Sequence, residues 1–250
     1  MRPETVVALL VGGAMTAGAQ VSTKWPQHSM DRPQPPIVNP GPFTASARPP
    51  SDATVLFDGR SLENWVSADS IKAPARWRVA GGYAEVVAGS GSIETKQALG
   101  DVQLHIEWRA PTPAKGESQE RGNSGVFLMG RYELQVLDSY QNVTYPDGQA
   151  GAIYGQFPPM VNASRPPGEW QTYDVVFHRP RFDAAGAVTS PARFTVLHNG
   201  VLVQDNVELS GPTANKSRPP YEKHADALPL MLQDHGDPVR FRNIWVRKLE

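Results

Sequence analysis

An alternation of apolar and polar residues runs unbroken from Val102 to Arg109, and it constrains the fold more than any other feature of the sequence. The apolar members of this stretch fall on one face of an extended strand, and the polar members fall on the other. A strand of this kind is buried on one side only, which is common in antiparallel sheets. The stretch therefore predicts a strand in the wall of a β structure with one packed face.

Comparable stretches recur along the chain and are separated by turn residues. They are Tyr83–Val87, Gly125–Met129, Tyr132–Leu137, Thr172–His178, Arg193–Leu197, Val201–Val207, Leu228–Gln233 and Val239–Lys248. Asn199-Gly200 lies between two of them and is the dipeptide that two-residue hairpins favour. The chain has 24 Pro and 22 Gly, and no helix-period segment is longer than about two turns. These features predict an all-β fold, a two-sheet antiparallel sandwich.

Three consecutive segments differ in composition. The apolar run Thr5–Met15, followed by Ala17-Gly18-Ala19, predicts a signal peptide over residues 1–19, with a buried N-terminal helix as the alternative. Prolines dominate the next segment, and residues 20–51 are interpreted as an extended linker. The folded domain is expected over residues 52–250. No segment is apolar enough to span a membrane, so we expect a periplasmic or secreted bacterial protein.

Composition excludes several classes of protein. The 250 residues include no Cys, which excludes disulfides, thiolate zinc sites and a cysteine nucleophile. A net charge of −1 argues against a nucleic-acid binder, which would carry a basic stripe. The sequence has no phosphate-binding loop, no dinucleotide fingerprint and no Gly-x-Ser-x-Gly elbow.

The polar faces of several predicted strands carry side chains that are common in sugar sites. If these strands lie side by side, their polar faces form one groove, in which Trp and Tyr rings would stack on pyranose rings. A solvated sheet face with incidental ion pairs is the plain alternative. The residue pairs that would form this groove are Glu107 with Arg109, Glu133 with Gln135, and Gln233 with His235.

Seven segments, taken in order, resemble the 3-keto-disaccharide hydrolase domain family, formerly DUF1080. They are Val55–Trp65, Gly122–Phe127, Tyr132–Asp138, Gly151–Tyr154, Trp170–Val175, His198–Val201 and Leu232–Ile244. The resemblance spans essentially all of residues 53–250. It implies a concanavalin A-like jelly roll, exported by bacteria, that acts on glycosides whose sugar is oxidised to a ketone at C3.

The chemistry of such a substrate suggests roles for individual residues. A ketone at C3 makes the C2 proton acidic, so a base can form an enediolate and the C1 substituent can leave by β-elimination; water then adds to the enone. Glu133 is the first candidate for the base, and His235 is the competing base or the acid. Arg109, Arg131 and Arg240 are candidates for stabilising the enolate charge, with Arg131 grouped with the catalytic residues. The candidate substrate-binding residues are Asn123, Gln135, Asp138, Glu107, Arg109, Tyr154, Gln233 and Arg240.

Plain structural roles compete with these assignments. Glu133 could be a surface carboxylate paired with Arg131, and His235 could simply shape a turn. A β-bulge after Glu133 would bring Asp138 to the spacing of a retaining glycosidase pair, about 5–5.5 Å. Gln135 stands where laminarinase-type enzymes have a middle Asp, which ranks that mechanism second. A non-catalytic carbohydrate-binding module is the third alternative.

The expected partners follow from the chemistry. The substrate is a 3-keto-glycoside, and a separate sugar 3-dehydrogenase must make it, because the chain has no nicotinamide-binding motif. No cofactor and no metal site is assigned. Asp234, His235 and Asp237 offer oxygen and nitrogen ligands close together, so a divalent cation is an alternative occupant there.

Overall fold

The computed structural model describes residues 24–249, and the predicted signal peptide lies outside them. Within this part the chain forms strands and two short 3₁₀ helices, Ser118–Glu120 and Pro146–Gly148. The strands are β1 (Thr54–Phe57), β2 (Trp65–Ser67), β3 (Arg78–Ala80), β4 (Tyr83–Glu85), β5 (Ile93–Leu99), β6 (Val102–Arg109), β7 (Ser124–Leu128), β8 (Tyr132–Val136), β9 (Gln171–His178), β10 (Arg181–Phe182), β11 (Val188–Ser190), β12 (Arg193–His198), β13 (Val201–Glu208), β14 (Leu228–Leu232) and β15 (Arg240–Lys248).

These strands form two main antiparallel sheets. The larger has the order β13-β12-β9-β6-β15-β4-β3, and β1 pairs with β15 outside this path. The smaller has the order β2-β5-β14-β7-β8. Strands β10 and β11 form a separate ribbon. No helix among residues 24–249 is long and apolar enough to cross a membrane.

One hydrophobic core lies between the two main sheets. The apolar face of β6 contributes Trp108, which is fully buried, and the facing sheet contributes Leu134 from β8. Tyr173 of β9 reaches across the core, and its hydroxyl donates a hydrogen bond of 2.7 Å to the carbonyl of Gln135. Packing of both inner faces into one cluster confirms the predicted sandwich.

The predicted strands are confirmed with small shifts at their ends. Strand β6 has the predicted bounds, and the predicted hairpin joins β12 to β13. Asn199 and Gly200 have φ of 55° and 81°, the left-handed values that a two-residue turn of this type requires at both positions.

The sandwich separates the polar pairs that the sequence analysis placed in one groove. Glu133 and Gln135 lie on the outer face of the five-stranded sheet, whereas Glu107 and Arg109 lie on the outer face of the larger sheet. These two faces are on opposite sides of the molecule. The prediction of a single groove that includes all three pairs is therefore wrong, because β6 pairs with β9 and β15 and not with β8.

The proline-rich segment has little regular structure but lies against the domain, and the interpretation as an extended linker did not include these contacts. Near its start, Gln27 donates a hydrogen bond of 2.7 Å to the carbonyl of Ala214. Near its end, Ser46 donates one of 3.0 Å to Glu107. We call residues 24–47 the strap. Because the contacts join groups more than 60 positions apart in the sequence, its composition gives no sign of them.

Candidate active site

A polar pocket of about 240 Å³ opens on the outer face of the five-stranded sheet. Strands β7 and β8 form its floor, and the segment after β14 and the loop between β13 and β14 contribute its walls. It is lined by Asn123, Phe127, Glu133, Gln135, Tyr154, Thr213, Ala214, Asn215, Gln233 and His235. Six of these residues are among the sequence-based candidates: Asn123, Glu133, Gln135, Tyr154, Gln233 and His235.

Glu133 is 6% exposed, and its carboxylate has no hydrogen bond or ion pair with any described residue. Its backbone is fixed on both sides, since its N–H donates to the Thr213 hydroxyl and its carbonyl accepts from the N–H of Tyr154. Burial without a compensating charge raises the pKa of Glu133 to about 8. The structural alternative, pairing with Arg131, is not present.

The glycine opposite this carboxylate makes room for it. Gly125 and Phe127 of β7 share the outer face with Glu133, and Phe127 is its cross-strand partner. A Cβ on Gly125 would lie 2.5 Å from Glu133 Oε1 and 2.6 Å from Phe127 Cε2. The absence of a side chain at Gly125 therefore lets the carboxylate lie against the backbone of β7.

Side-chain amides continue the pocket floor beyond Glu133. The Nε2 group of Gln135 donates to Gln119 at 3.2 Å and to Asn123 at 3.3 Å. The Oε1 atoms of Gln135 and Gln233 are buried and have no donor within the described chain. Buried acceptors without donors are costly, so this floor is suited to a ligand that offers hydroxyl groups.

A pair of tyrosines and an exposed histidine complete the wall. The hydroxyls of Tyr145 and Tyr154 lie 3.1 Å apart, and Tyr154 also contacts Asn215 at 3.4 Å. Burial raises the pKa of Tyr154, so it carries a proton near neutral pH. His235 lies exposed on the pocket wall. Tyr154 and His235 can each donate a hydrogen bond to a bound sugar.

Several candidates lie elsewhere. Glu107 and Arg240 are on the opposite outer face with Arg109, where Arg240 pairs with Glu85 at 2.5 Å. Arg131 directly precedes β8 but is not part of the pocket lining. The structure thus brings none of the three candidate arginines to the pocket, because their strands or their positions point them to other surfaces.

Glu107 has a structural environment of its own. It is fully buried and accepts hydrogen bonds from Arg242 at 2.6 Å, Asn243 at 2.9 Å and Ser46 at 3.0 Å. Burial alone would raise its pKa, but these bonds and the nearby His105 ring lower the pKa of Glu107 to about 2. This carboxylate is fully paired and connects the larger sheet to the strap.

Asp138 does not join Glu133, and the β-bulge that the retaining-glycosidase alternative requires is absent from the paired part of β8. Pairing of β7 with β8 runs in regular register from Ser124 opposite Val136 to Leu128 opposite Tyr132. Asp138 lies beyond the strand and forms an ion pair with Arg121. A retaining carboxylate pair built from Glu133 and Asp138 is therefore not formed.

The two carboxylates of the Asp-His-Gly-Asp loop after β14 accept hydrogen bonds from neighbouring backbone N–H groups. Asp234 accepts from the backbone N–H of Gly91 and Asp237 from that of Asn123, both at 2.9 Å. Across the described residues, no group of three or more His, Asp or Glu side chains is placed to hold a metal ion.

Sequence reasoning missed four residues that line the pocket and one behind it. Phe127 follows from the alternation of β7, so the strand pattern could have identified it. Thr213, Ala214 and Asn215 come from a loop about 80 positions after β8, and nothing in their local sequence indicates this contact. Tyr145 lies behind Tyr154 and contacts it through the two hydroxyls, but it does not line the pocket itself.

Comparisons with known proteins agree with this architecture. Residues 52–247 match the model of a family described as the 3-keto-alpha-glucoside-1,2-lyase-like domain. A relative in Bacteroides thetaiotaomicron named 3-keto-disaccharide hydrolase is 24% identical in an alignment that covers 78% of this chain and 78% of that protein.

Solved structures from Parabacteroides distasonis are also similar. One protein, provisionally named a glycosyl hydrolase, is 46% identical, with a TM-score of 0.77 over 87% of this chain and 93% of that one. A second with the same provisional name is 18% identical, with a TM-score of 0.58 over 80% and 94%, and it supports the fold alone.

Proposed function

Because this chain belongs to the family of 3-keto-α-glucoside-1,2-lyase-like domains, we propose that it is an enzyme that cleaves the glycosidic bond of 3-keto-glycosides. One observation carries the proposal. A buried carboxylate with no partner, Glu133, lies in a polar pocket whose amide oxygens lack donors. A structural carboxylate would be paired, as Glu107 is, whereas a base must be free to accept a proton.

The proposed reaction begins at C2 of the keto sugar. The Glu133 carboxylate removes the C2 proton, and the electron pair of that bond forms an enediolate with the C3 ketone oxygen. Collapse of the enediolate expels the oxygen at C1, which leaves with a proton from an acid on the pocket wall. Water then adds to the enone at C1 and a proton returns to C2, which completes net hydrolysis.

The pKa of Glu133 suits this step. A carboxylate with a pKa of about 8 is a much stronger base than an ordinary glutamate, which has a pKa near 4.5. The proton donors that the pocket offers for the C3 oxygen and the leaving group are Tyr154 and His235, in place of the arginines expected from the sequence. The alternative retaining mechanism lacks its second carboxylate, since Asp138 is engaged by Arg121.

The wider context of the reaction is also a proposal. The substrate carries a ketone at C3, so an oxidation of the sugar hydroxyl by a separate dehydrogenase must precede this enzyme. Residues 1–19 are proposed to direct export, which N-terminal sequencing of the protein recovered from periplasm and medium tests. A mature chain that retains residues 1–19 would overturn export by cleavage.

The decisive experiment follows aglycone release from a 3-keto-glucoside and from its unoxidised parent, each with and without deuterium at C2. We expect release from the keto form only, slowed by deuterium, because the C2–H bond breaks in the proposed step. Glu133→Gln keeps the shape of the side chain and should reduce the rate by about 10² to 10⁴-fold.

The other outcomes identify the competing functions. Release from the parent sugar without an isotope effect indicates a conventional glycosidase. Binding of both sugars without release from either indicates a carbohydrate-binding module. If Glu133→Gln keeps activity within a few-fold of the parent, Glu133 is not the base and His235 becomes the candidate.

A further inference from the structure

The start of the strap lies beside the pocket wall. Gln27 donates to the carbonyl of Ala214, a lining residue, at 2.7 Å. Gly155, the neighbour of the lining residue Tyr154, has a φ of +69°, and a Cβ there would lie 1.8 Å from the Gln27 amide nitrogen. The loop that carries Tyr154 thus accommodates the strap at a position where only glycine fits.

His28 is held at this place by backbone and ring contacts. Its N–H lies 3.2 Å from both carboxylate oxygens of Asp147. Its ring stacks on Tyr145, with centroids 4.1 Å apart and planes inclined by 22°, and it lies 5.2 Å from the ring of Tyr154. The ring atom Nε2 is buried and has no partner among the described residues.

The same contacts continue to the catalytic carboxylate. The Tyr145 hydroxyl lies 3.1 Å from that of Tyr154, and Tyr154 lines the pocket together with Glu133. Gly148 leaves room for the Tyr145 ring, since a Cβ there would lie 2.1 Å from it. Burial is the main cause that raises the pKa of both tyrosines, so both hydroxyls keep their protons near neutral pH.

Part of the segment before Asp52 is also present in a relative. The similarity to the first Parabacteroides distasonis protein covers 87% of the 250 residues. Residues 52–250 make up less than 80% of the chain, so that similarity includes part of the segment before Asp52. The family model, in contrast, begins at residue 52. A segment outside the family domain is therefore shared in structure with a relative.

We propose that the strap is part of the active site and that His28 is a positioning residue, which holds Tyr145 and through it orients the Tyr154 hydroxyl toward the bound sugar. The proposal rests on the proposed function. In that reaction Tyr154 delivers the proton that the C1 oxygen takes as it leaves, or hydrogen-bonds the C3 oxygen as charge develops there. A hydroxyl that is not held in position would do neither efficiently.

The test compares His28→Ala, His28→Phe, Tyr154→Phe and the double variant of His28→Ala with Tyr154→Phe. Ile37→Ala is the matched control, since Ile37 belongs to the strap but is 80% exposed. The readouts are kcat and KM on a 3-keto-disaccharide, with thermal melting to establish that each variant folds.

We expect His28→Ala to lower kcat by about 10-fold or more with a smaller change in KM, because the hydroxyl is misplaced. His28→Phe retains the stacked ring and should stay within a few-fold of the parent, as should Ile37→Ala. The double variant should be no slower than Tyr154→Phe alone, because His28 acts through that hydroxyl.

Unchanged kcat in His28→Ala overturns the inference, and so do losses that multiply in the double variant. The two proposals fail separately. If the parent enzyme is active on the keto sugar and His28→Ala is equally active, only the role of the strap is overturned. A parent enzyme inactive on the keto sugar removes the proposed function. That outcome also overturns the role of His28, because this role rests on the proposed reaction.

Discussion

At the scale of single residues, Glu133 determines how the activity should depend on pH. With a pKa of about 8, about a tenth of the carboxyl groups are ionised at pH 7. A base is active only when ionised, so kcat/KM on a 3-keto-glycoside should rise as pH increases and level off above about pH 8. A rate that falls through the same range would show that Glu133 acts as an acid.

The same residue should lower the stability of the protein. An unfolded glutamate ionises near pH 4.5 whereas the folded Glu133 keeps its proton to about pH 8, so the folded state binds more protons between these values. Its contribution to stability is therefore fully present below pH 4.5 and is lost as pH rises toward 8. Glu133→Gln should melt above the parent enzyme at pH 8 and close to it at pH 4.5.

The matched control is Glu63→Gln, since Glu63 is exposed. Thermal melting of both variants between pH 4 and pH 9 checks the prediction. The difference in melting temperature between Glu133→Gln and the parent should grow as pH rises. It should increase by about 2 to 4 °C for each kcal/mol of unfolding free energy that the parent loses. An advantage that does not change with pH would contradict burial of an uncompensated carboxylate.

Sequence alone predicts that Glu133 lies on the polar face of its strand, but not that its carboxylate is buried without a partner. Alternation along β8 places Glu133 on the polar face with Gln135, and the structure confirms this placement. Its isolation depends on Thr213 and Tyr154, which cover β8 from other parts of the chain. Local pattern cannot show whether a polar face is open to solvent or covered by such loops.

At the scale of elements, the close pairing of β7 with β8 sets the position of the carboxylate. Gly125→Ala should displace it, since the added methyl would lie 2.5 Å from Glu133 Oε1, and backbone conformation is not the obstacle because Gly125 does not have a positive φ. We expect kcat/KM to fall by about 10-fold or more with a smaller loss of stability. Activity measured beside thermal melting separates the two effects, and full activity would show that the carboxylate can shift without cost.

The strands that the sequence revealed are the longer ones. Strand β6 has eight residues and a strict alternation, whereas β2 and β3 have three residues each and too little pattern to detect. Pairing between strands is a separate problem, since β6 lies between β9 and β15, both distant in sequence. The sequence therefore predicted the elements but placed Glu107 and Glu133 on the same face.

The strap shows the same limit. Its prolines predict an extended linker, but the contacts that hold it against the domain are made by single groups. The carbonyl of Gly41 accepts from Arg165 at 2.8 Å and that of Ala47 from Asn243 at 2.8 Å. Backbone carbonyls are present at every residue, so sequence cannot indicate which of them are used.

At the scale of the whole molecule, the two outer faces differ in whether their buried carboxylates have a charged partner. The larger sheet carries compensated charges: Glu85 with Arg240, and Glu107 with Arg242. The smaller sheet carries Glu133, which is not compensated. The ion pairs of the larger sheet and the carboxylate proposed to act in catalysis therefore lie on opposite sides of the hydrophobic core, so substitutions of these groups should be nearly additive.

His198 gives the whole fold a sensitivity to acid. It is fully buried in the core beside Trp108, with ring centroids 5.8 Å apart, and neither ring nitrogen has a partner within the described chain. Burial, aided by the charge of Arg165, lowers the pKa of His198 to about 3. The unfolded histidine takes up a proton near pH 6.5, so the unfolded state binds more protons between pH 6.5 and pH 3.

Stability should therefore decline as pH falls through this range, by up to about 1.4 kcal/mol for each pH unit from this residue alone. His198→Phe keeps a ring against Trp108 but removes the proton site, so its melting temperature should decline less steeply with acid, whatever its value at neutral pH. His178→Phe on the neighbouring strand β9 is the control, because His178 is exposed and its removal leaves the buried site intact. Parallel melting curves for His198→Phe and the parent from pH 7 to pH 4 would contradict this account, because the acid sensitivity would then come from other groups.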